Sequence, residues 1–393
     1  MTGTTRTTAI VILTAATFGL TYGLSAPLIA LELSDAGYTE TLIGANGAMY
    51  AVGVLVVAPV LPRLSRSLGF GKLAKGALLL AGALFALFPA APFLWLWFPL
   101  RAALGAASET LFVVSETWLN QITSAAKRGK TIAIYVTALS AGTALGPAIL
   151  ALVGRNMALA FIIGAALALA ACAVLQFGRP HEARHESAPK DSPFRYLRLV
   201  PVAVAAAGLN AALESAGLSL LPLYAMALGW PEQSATFLLT ILLIGSILLQ
   251  LPIGWLGDRM NRRLLVVILA MVSTAGALIW PAALTHAWLA YPLLFVWGGA
   301  FVGIYTTTIA ILGDRYKDGE LVSVYALLSI AWGLGALAGP LIGGLAMEIS
   351  PHGLPIFAAL ACGLFAACAA LHRSGSAAPK PETGREPTSV SNN

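Results

Sequence analysis

Three ionisable residues fall inside one long apolar run: Arg101, Glu109 and Glu116, between Phe93 and Asn120. The two glutamates are seven residues apart and share one face of a helix. A charge near mid-bilayer costs about 2.5–3.5 kcal/mol on insertion scales, so such groups face a wet cavity or a partner. Dry surroundings disfavour a carboxylate, and a neighbouring guanidinium favours it. A carboxyl group held between those influences is suited to taking up and releasing protons. Glu109, near mid-depth, is the first candidate for that work. A fixed Glu109–Arg101 ion pair is the alternative. Glu116 lies nearer the basic end, in Ser-Glu-Thr-Trp-Leu-Asn, and is expected to pair with Arg63 or Arg66, or with Lys127 or Arg128. A second apolar run carries Asn210 and Glu214, an i, i+4 pair. Glu214 is the second candidate for proton or cation handling, and a hydrogen-bonded structural carboxyl is its alternative.

A different grouping lies between two apolar spans, 236–256 and 264–284. The stretch Gly254-Trp-Leu-Gly-Asp258-Arg259-Met-Asn-Arg262-Arg263 packs one acid and three arginines into six residues. Two membrane helices joined by a short cationic hairpin read this way. Two other motifs lead nowhere. His181-Glu182-Ala-Arg-His185 has the H-E-x-x-H spacing of a zinc protease helix. Here it sits in a polar linker between prolines 180 and 189, with no third ligand in view. Gly129-Lys130-Thr131 echoes the end of a phosphate loop, but Ser124 replaces its first glycine and no strand precedes it. No metal, cofactor or enzymatic activity is expected.

The elements that position these residues follow from composition. Of 393 residues, 58% are hydrophobic and 10% charged, whereas ordinary soluble chains carry about 25% charged residues. Such a chain belongs in a lipid bilayer. The net charge of +6 does not signify nucleic acid, because the basic residues sit at span ends. Cys172, Cys362 and Cys368 lie in apolar spans and read as packing residues. A crossing helix needs about 20 apolar residues. Twelve spans satisfy that ruler: 9–33, 42–62, 73–90, 93–120, 130–152, 157–177, 200–227, 235–257, 264–284, 288–314, 320–347 and 354–372. Residues 178–198 form a polar linker between bundles 1–177 and 199–372, and 373–393 read as a disordered tail. With this division 21 of the 23 Lys and Arg residues fall on one side, which predicts that both termini are cytoplasmic.

The two halves repeat. Gly142-x-x-x-Gly146-Pro147 returns as Gly335-x-x-x-Gly339-Pro340 after 193 residues. Gly129 to Tyr135 returns as Gly319 to Tyr325, and Gly-Leu-Ser before a proline occurs at 23 and at 217. Landmarks at nearly one offset predict duplication. G-x-x-x-D-R-x-x-R-R between two spans resembles the signature loop of the major facilitator superfamily. Arg101-x-x-x-Gly105 resembles its helix-4 motif, and Gly-x-x-x-Gly-Pro its helix-5 motif, although Leu150 stands where a further glycine would follow. Ser-Glu-x-Trp-x-Asn at 115–120 is similar to a YcaD-like subgroup.

The resemblance covers residues 9–372. It implies an all-α membrane protein with twelve transmembrane helices in two pseudo-symmetric six-helix bundles, working by alternating access. It implies a role in proton coupling for Arg101, beside the candidates Glu109 and Glu214 already named from their place in the spans. Tyr22, Tyr50, Asn210, Tyr224, Tyr305 and Trp332 would contact a small organic substrate, with Asn46 and Gln250 weaker candidates. Gly254, Asp258, Arg259, Arg262, Arg263, Glu116, Asp314 and Arg315 would form a cytoplasmic gate. In that gate the glycine would let two helices approach and the charges would latch the halves. Gly142, Gly146, Pro147, Gly335, Gly339 and Pro340 would serve packing and hinge roles. The expected partners are a small molecule, protons and lipid, for a monomer in the inner membrane that exports its substrate. Uptake or uniport of a metabolite is the alternative, and a non-transporting sensor or lipid-handling scaffold is the rival from another class.

Overall fold

The computed structural model describes residues 3–123, 128–154, 156–178, 193–316 and 318–372. The linker and tail expected at 178–198 and 373–393 fall largely outside them. The described residues form α1 (Gly3–Asp35), α2 (Glu40–Val57), α3 (Leu61–Leu68), α4 (Phe70–Leu87), α5 (Leu94–Ile122), α6 (Arg128–Val153) and α7 (Met157–Gly178). After a short 3-10 turn come α8 (Pro201–Ala227), α9 (Glu232–Leu248), α10 (Gln250–Arg259), α11 (Arg262–Ala283), α12 (Ala287–Arg315), α13 (Asp318–Ile349) and α14 (Gly353–Leu371). α3 is too short to cross a bilayer and α10 continues α9, so the described residues make twelve crossings. Eleven of the described crossings are apolar enough by length and composition alone. The twelfth is α5, the helix that carries Arg101, Glu109 and Glu116.

Two expected boundaries move. The second span ends at Val57 instead of running to 62, and α3 follows as a separate amphipathic turn. The eighth span breaks at Leu249. Both breaks have the same cause. Pro59 has no N–H for the Leu55 carbonyl, and Pro252 has none for the Leu248 carbonyl. The two prolines are 193 residues apart, so the duplication preserves the break.

Small residues set the packing. A Cβ on Gly142 would collide with the carbonyl of Ala16, and one on Gly146 with the backbone of Gly23 and Leu24, so α6 lies directly on α1. In the second half Gly335 meets the carbonyl of Gly208 and Gly339 that of Ala212, which presses α13 onto α8. A second pair of crossings repeats likewise. Gly53 and Gly105 bring α2 against α5, and Gly245 and Gly298 bring α9 against α12. Backbones this close gain dispersion contacts that lipid cannot replace. Each bundle is thereby held at glycines offset by 192 or 193 residues.

The bundles meet through α2 against α13, α6 against α9, and α1 with α2 against α8. The face carrying Arg63, Arg66, Arg259, Arg262 and Arg315 is the basic face, and the opposite one is the far face. Toward the far face the interface is sealed. Gly44 of α2 touches the Pro340 carbonyl of α13, and Gly344 of α13 touches the Glu40 carbonyl of α2. Every residue from Thr21 to Leu31 of α1 and from Leu218 to Ala225 of α8 is buried. Toward the basic face the same interface loosens. Glu116 of α5 and Tyr325 and Ser329 of α13 are exposed although they lie inside long helices. Glu116 and Tyr325 also lie within electrostatic reach of each other across the interface, so a cavity opens between the bundles on the basic face.

Candidate functional site

At the floor of that cavity the bundles share a small polar centre. Tyr22, Ala26, Gly47, Tyr50, Ala51, Arg101, Ser215, Ser219 and Ala336 enclose it. They come from five helices, α1, α2, α5, α8 and α13. Arg101 is 2% exposed. One of its terminal nitrogens donates to Ser25 Oγ at 2.8 Å, and the guanidinium lies 5.1 Å from the centroid of the Tyr50 ring. Its Nε–H finds no acceptor. The Tyr22 and Tyr50 rings lie side by side with centroids 5.1 Å apart, and the Tyr22 hydroxyl is 3.1 Å from Ser215 Oγ across the bundle interface. Nearby on the same helices, both amide atoms of buried Asn46 and the Oδ1 of Asn210 also lack partners. Buried polar atoms without partners cost about 1–3 kcal/mol each. Their concentration around one enclosed centre marks it as a place where a ligand or water supplies the missing bonds.

Glu109 and Glu214 are half-buried on opposite walls. Glu214 accepts from the Asn210 side-chain amide at 3.4 Å, so that expected pair forms. It lies within electrostatic reach of Tyr22, Tyr50 and Tyr305. Glu109 stands within reach of Tyr50, Tyr135 and Glu116. The Glu109–Arg101 ion pair, the alternative reading of Glu109, does not form among the described residues. Eight residues of helix separate them by about 12 Å along the axis, and the guanidinium is turned to Ser25 and Tyr50 instead. Among the described residues Glu116 makes no ion pair with Arg63 or Arg66, the first of the two alternatives expected for it. Lys127 lies outside the described residues, as does the Arg128 side chain. Glu116 faces Tyr305 and Tyr325 across the cavity. Trp332 packs with Ala51, Ala211 and Ala336, next to the polar centre. Tyr224 is a correction: it is fully buried toward the far face, its hydroxyl 3.1 Å from His352 Nδ1, away from the cavity. Gln250 instead bridges α10 to α12 through Thr306 at 2.7 Å.

The charged hairpin organises around Arg262. It holds Asp258 at 2.8 Å and Asp314 at 2.5 Å, tying α10, α11 and α12 together. Arg315, expected in this network, lies over the Tyr316 ring, and Arg259 stacks 3.8 Å from the centroid of Trp255. All of these groups belong to the second bundle, and among the described residues no ion pair crosses to the first. The contacts between bundles that the family resemblance implies for this hairpin are not made among the described residues. Gly254 is exposed with open space at its Cα, so it does not sit at a close helix contact here. Both carboxylates of the network are more than 70% exposed. Exposed pairs contribute about 0.2–1 kcal/mol. Asp258→Asn should therefore lower thermal stability only slightly, and a large loss in a melting curve would contradict this.

Ser108 and Ser215 are not among the residues that the sequence singles out, while Ser25, Ser219 and Tyr135 enter it only as parts of repeated stretches. Serines are common in membrane helices and carry no local signal. For Ser25 and Ser219 a signal exists: the repeated Gly-Leu-Ser places them at equivalent positions of α1 and α8. The H-E-x-x-H stretch at 181–185 lies outside the described residues. The glycine of Gly129-Lys130-Thr131 is helical, inside α6, rather than part of a phosphate-binding loop. Among the described residues no cluster of His, Cys, Asp or Glu is arranged to hold a metal.

Two six-helix bundles around a shared polar centre, open on one face only, define a membrane transporter of the alternating-access class. A model of the Major Facilitator Superfamily matches residues 11–238 and 205–392. The chain belongs to this superfamily and is a secondary transporter rather than an enzyme. It is 28% identical over 353 residues to the MFS-type transporter YfkF of Bacillus subtilis, covering 86% of this chain and 88% of that one. It is 27% identical over 328 residues to the MFS-type transporter YcaD of Salmonella dublin, covering 82% and 84%. Among solved structures, a point mutant of the nucleoside transporter NupG superposes with a TM-score of 0.80 at 12% identity, covering 94% of this chain and 99% of that one. A bacterial homologue of the lysosomal transporter Spinster, inward-facing and unoccupied, gives a TM-score of 0.70 at 12% identity, covering 93% and 92%. These structural likenesses concern the fold.

Proposed function

We propose that this transporter exports a small organic molecule in exchange for protons. One observation carries the reading: an enclosed polar centre with unpartnered donors and acceptors lies between the bundles, and ionisable Glu109 and Glu214 stand on the walls leading to it. The crowding of basic residues on one face supports a cytoplasmic orientation for that face. The conformation described above is then inward-open, in a monomer of the inner membrane. Tyr22, Tyr50, Tyr305 and Trp332 supply an aromatic surface that suits an amphipathic or apolar substrate, with Asn46 and Asn210 offering hydrogen bonds. Glu109 carries the proton. Coupling arises because proton and substrate each bind the inward and outward states unequally.

The gate has a role in the opposite conformation. When the basic face closes, Asp258 and its arginines approach the first bundle and stabilise the closed seam. Asp258→Asn should leave the protein resting inward-open more often. Single-cysteine labelling on both faces measures this, and unchanged labelling would remove the gate from the account. Import of a metabolite is the second reading, favoured by Leu150 in place of a glycine in the helix-5 motif. A thermal-shift screen of metabolites and drugs at two pH values identifies a ligand. Transport of that ligand into inside-out or right-side-out vesicles, under proton gradients of either sign, then separates the readings. Accumulation driven by an outside-acid gradient in right-side-out vesicles would overturn export.

A further inference from the structure

A second cavity lies outside the transport pathway, on the basic face of the second bundle. It is bounded by the start of α8, the start of α11, the end of α12 and the end of α14. Its walls are apolar, with Leu199, Val202, Val266 and Ile311 among them, whereas its rim carries Arg263, Arg315 and His372. All three rim residues are exposed. The two arginines share no carboxylate: Arg262 takes both nearby acids, Asp258 and Asp314, and neither Arg263 nor Arg315 forms an ion pair among the described residues. A third source of positive potential adds to them. α8 begins at this cavity with Val200 at its cap position, which offers no side-chain acceptor, followed by Pro201. The positive end of the α8 dipole is therefore left uncompensated beside two unpaired guanidinium groups.

The combination is chemically specific. Guanidinium groups at the water boundary recognise phosphate oxygens in a planar, forked geometry. An apolar crevice beneath them, at membrane depth, accepts hydrocarbon. We infer that this cavity binds an anionic phospholipid of the leaflet on the basic face. Its phosphate would sit between Arg263 and Arg315 and one acyl chain against Val202, Val266 and Ile311. Basic pockets between transmembrane helices are suited to such headgroups. The position also links the lipid to the gate. Arg263 adjoins Arg262, and Arg315 adjoins Asp314, so an occupied site holds both ends of the α11–α12 clamp. This inference does not depend on the direction of transport or on proton coupling.

The test uses the full-length protein purified in a neutral detergent. Its thermal midpoint is measured with phosphatidylglycerol, with phosphatidylcholine of the same chains, and with inorganic phosphate. Phosphatidylglycerol should raise the midpoint by roughly 2 °C or more by mass action on the folded state, and the other two should not. In R263Q/R315Q the shift should vanish. A second variant, Val266→Trp, fills the crevice, keeps both charges and should also lose the shift. Native mass spectrometry of the same samples counts retained lipid in any variant whose melting is disturbed. Equal shifts with the two lipids, or a full shift in R263Q/R315Q, would overturn the site. A full shift with inorganic phosphate alone would make it a free-anion site and overturn the lipid assignment.

Discussion

Glu109→Gln should abolish the response of transport to a proton gradient while sparing substrate exchange. The substitution removes one ionisable group from the cavity wall and keeps its shape. Glu109 has no ion-pair partner among the described residues, so the change strands no opposite charge. The protein should reach the membrane in normal amount and bind its ligand. A coupling free energy of roughly 1–3 kcal/mol between two bound species corresponds to about 5–150-fold in affinity. Gradient-driven accumulation should fall by a factor in that range, and counterflow at equal pH on both sides should persist. Glu214→Gln, measured alongside, separates the two carboxyl groups. Asn210 donates to Glu214, and the new amide can orient its oxygen to keep that bond, so a binding defect without loss of coupling is expected there. Normal gradient-driven accumulation by Glu109→Gln would remove that residue from the proton pathway.

The second large effect concerns Gly44. Its Cα faces the Pro340 carbonyl at the sealed far side, with no room for a β-carbon. Forcing extra methyl groups into a packed contact costs roughly 1–3 kcal/mol, which moves a two-state equilibrium by about 5–150-fold. Gly44→Val should therefore drive the protein away from the far-side-closed state. Cysteines placed on the far-face ends of α2 and α13 should label faster, and those near Glu116 more slowly. Gly142→Val is the control. It lies between α1 and α6 of the same bundle, where no opening relieves the clash, so it should lower stability without preference for either state. Equal labelling patterns in the two variants would refute rigid-bundle motion.

Much of the architecture is legible in the chain because lipid simplifies the problem. Every backbone group in hydrocarbon must be bonded internally, so apolar length reports helices directly. The spans, the even crossing number and the repeat follow from it. The interruptions at Pro59 and Pro252 escape such a reading, since a hydropathy ruler does not register a missing N–H. The site is less legible. Arg101, Glu109 and Glu214 stand out because ionisable residues are rare in membrane spans. Where each one points depends on helix rotation, and that is set by glycine contacts with other helices. Sequence proximity thus suggests Arg101 for Glu109, whereas the guanidinium belongs to Ser25 and Tyr50. Tyr224 shares its residue type with Tyr305, but one lies past the cavity floor and the other on its wall.

The hydrogen bond between Tyr22 and Ser215 joins positions 193 residues apart, the interval of the internal duplication. In these two helices the repeated Gly-Leu-Ser stretches are 194 residues apart, so Tyr22 and Ser215 occupy adjoining positions of the repeat and not the same one. Their bond nevertheless bridges α1 and α8 where both are buried. Rigid rocking of one bundle against the other stretches it, so it is a contact that distinguishes the two states.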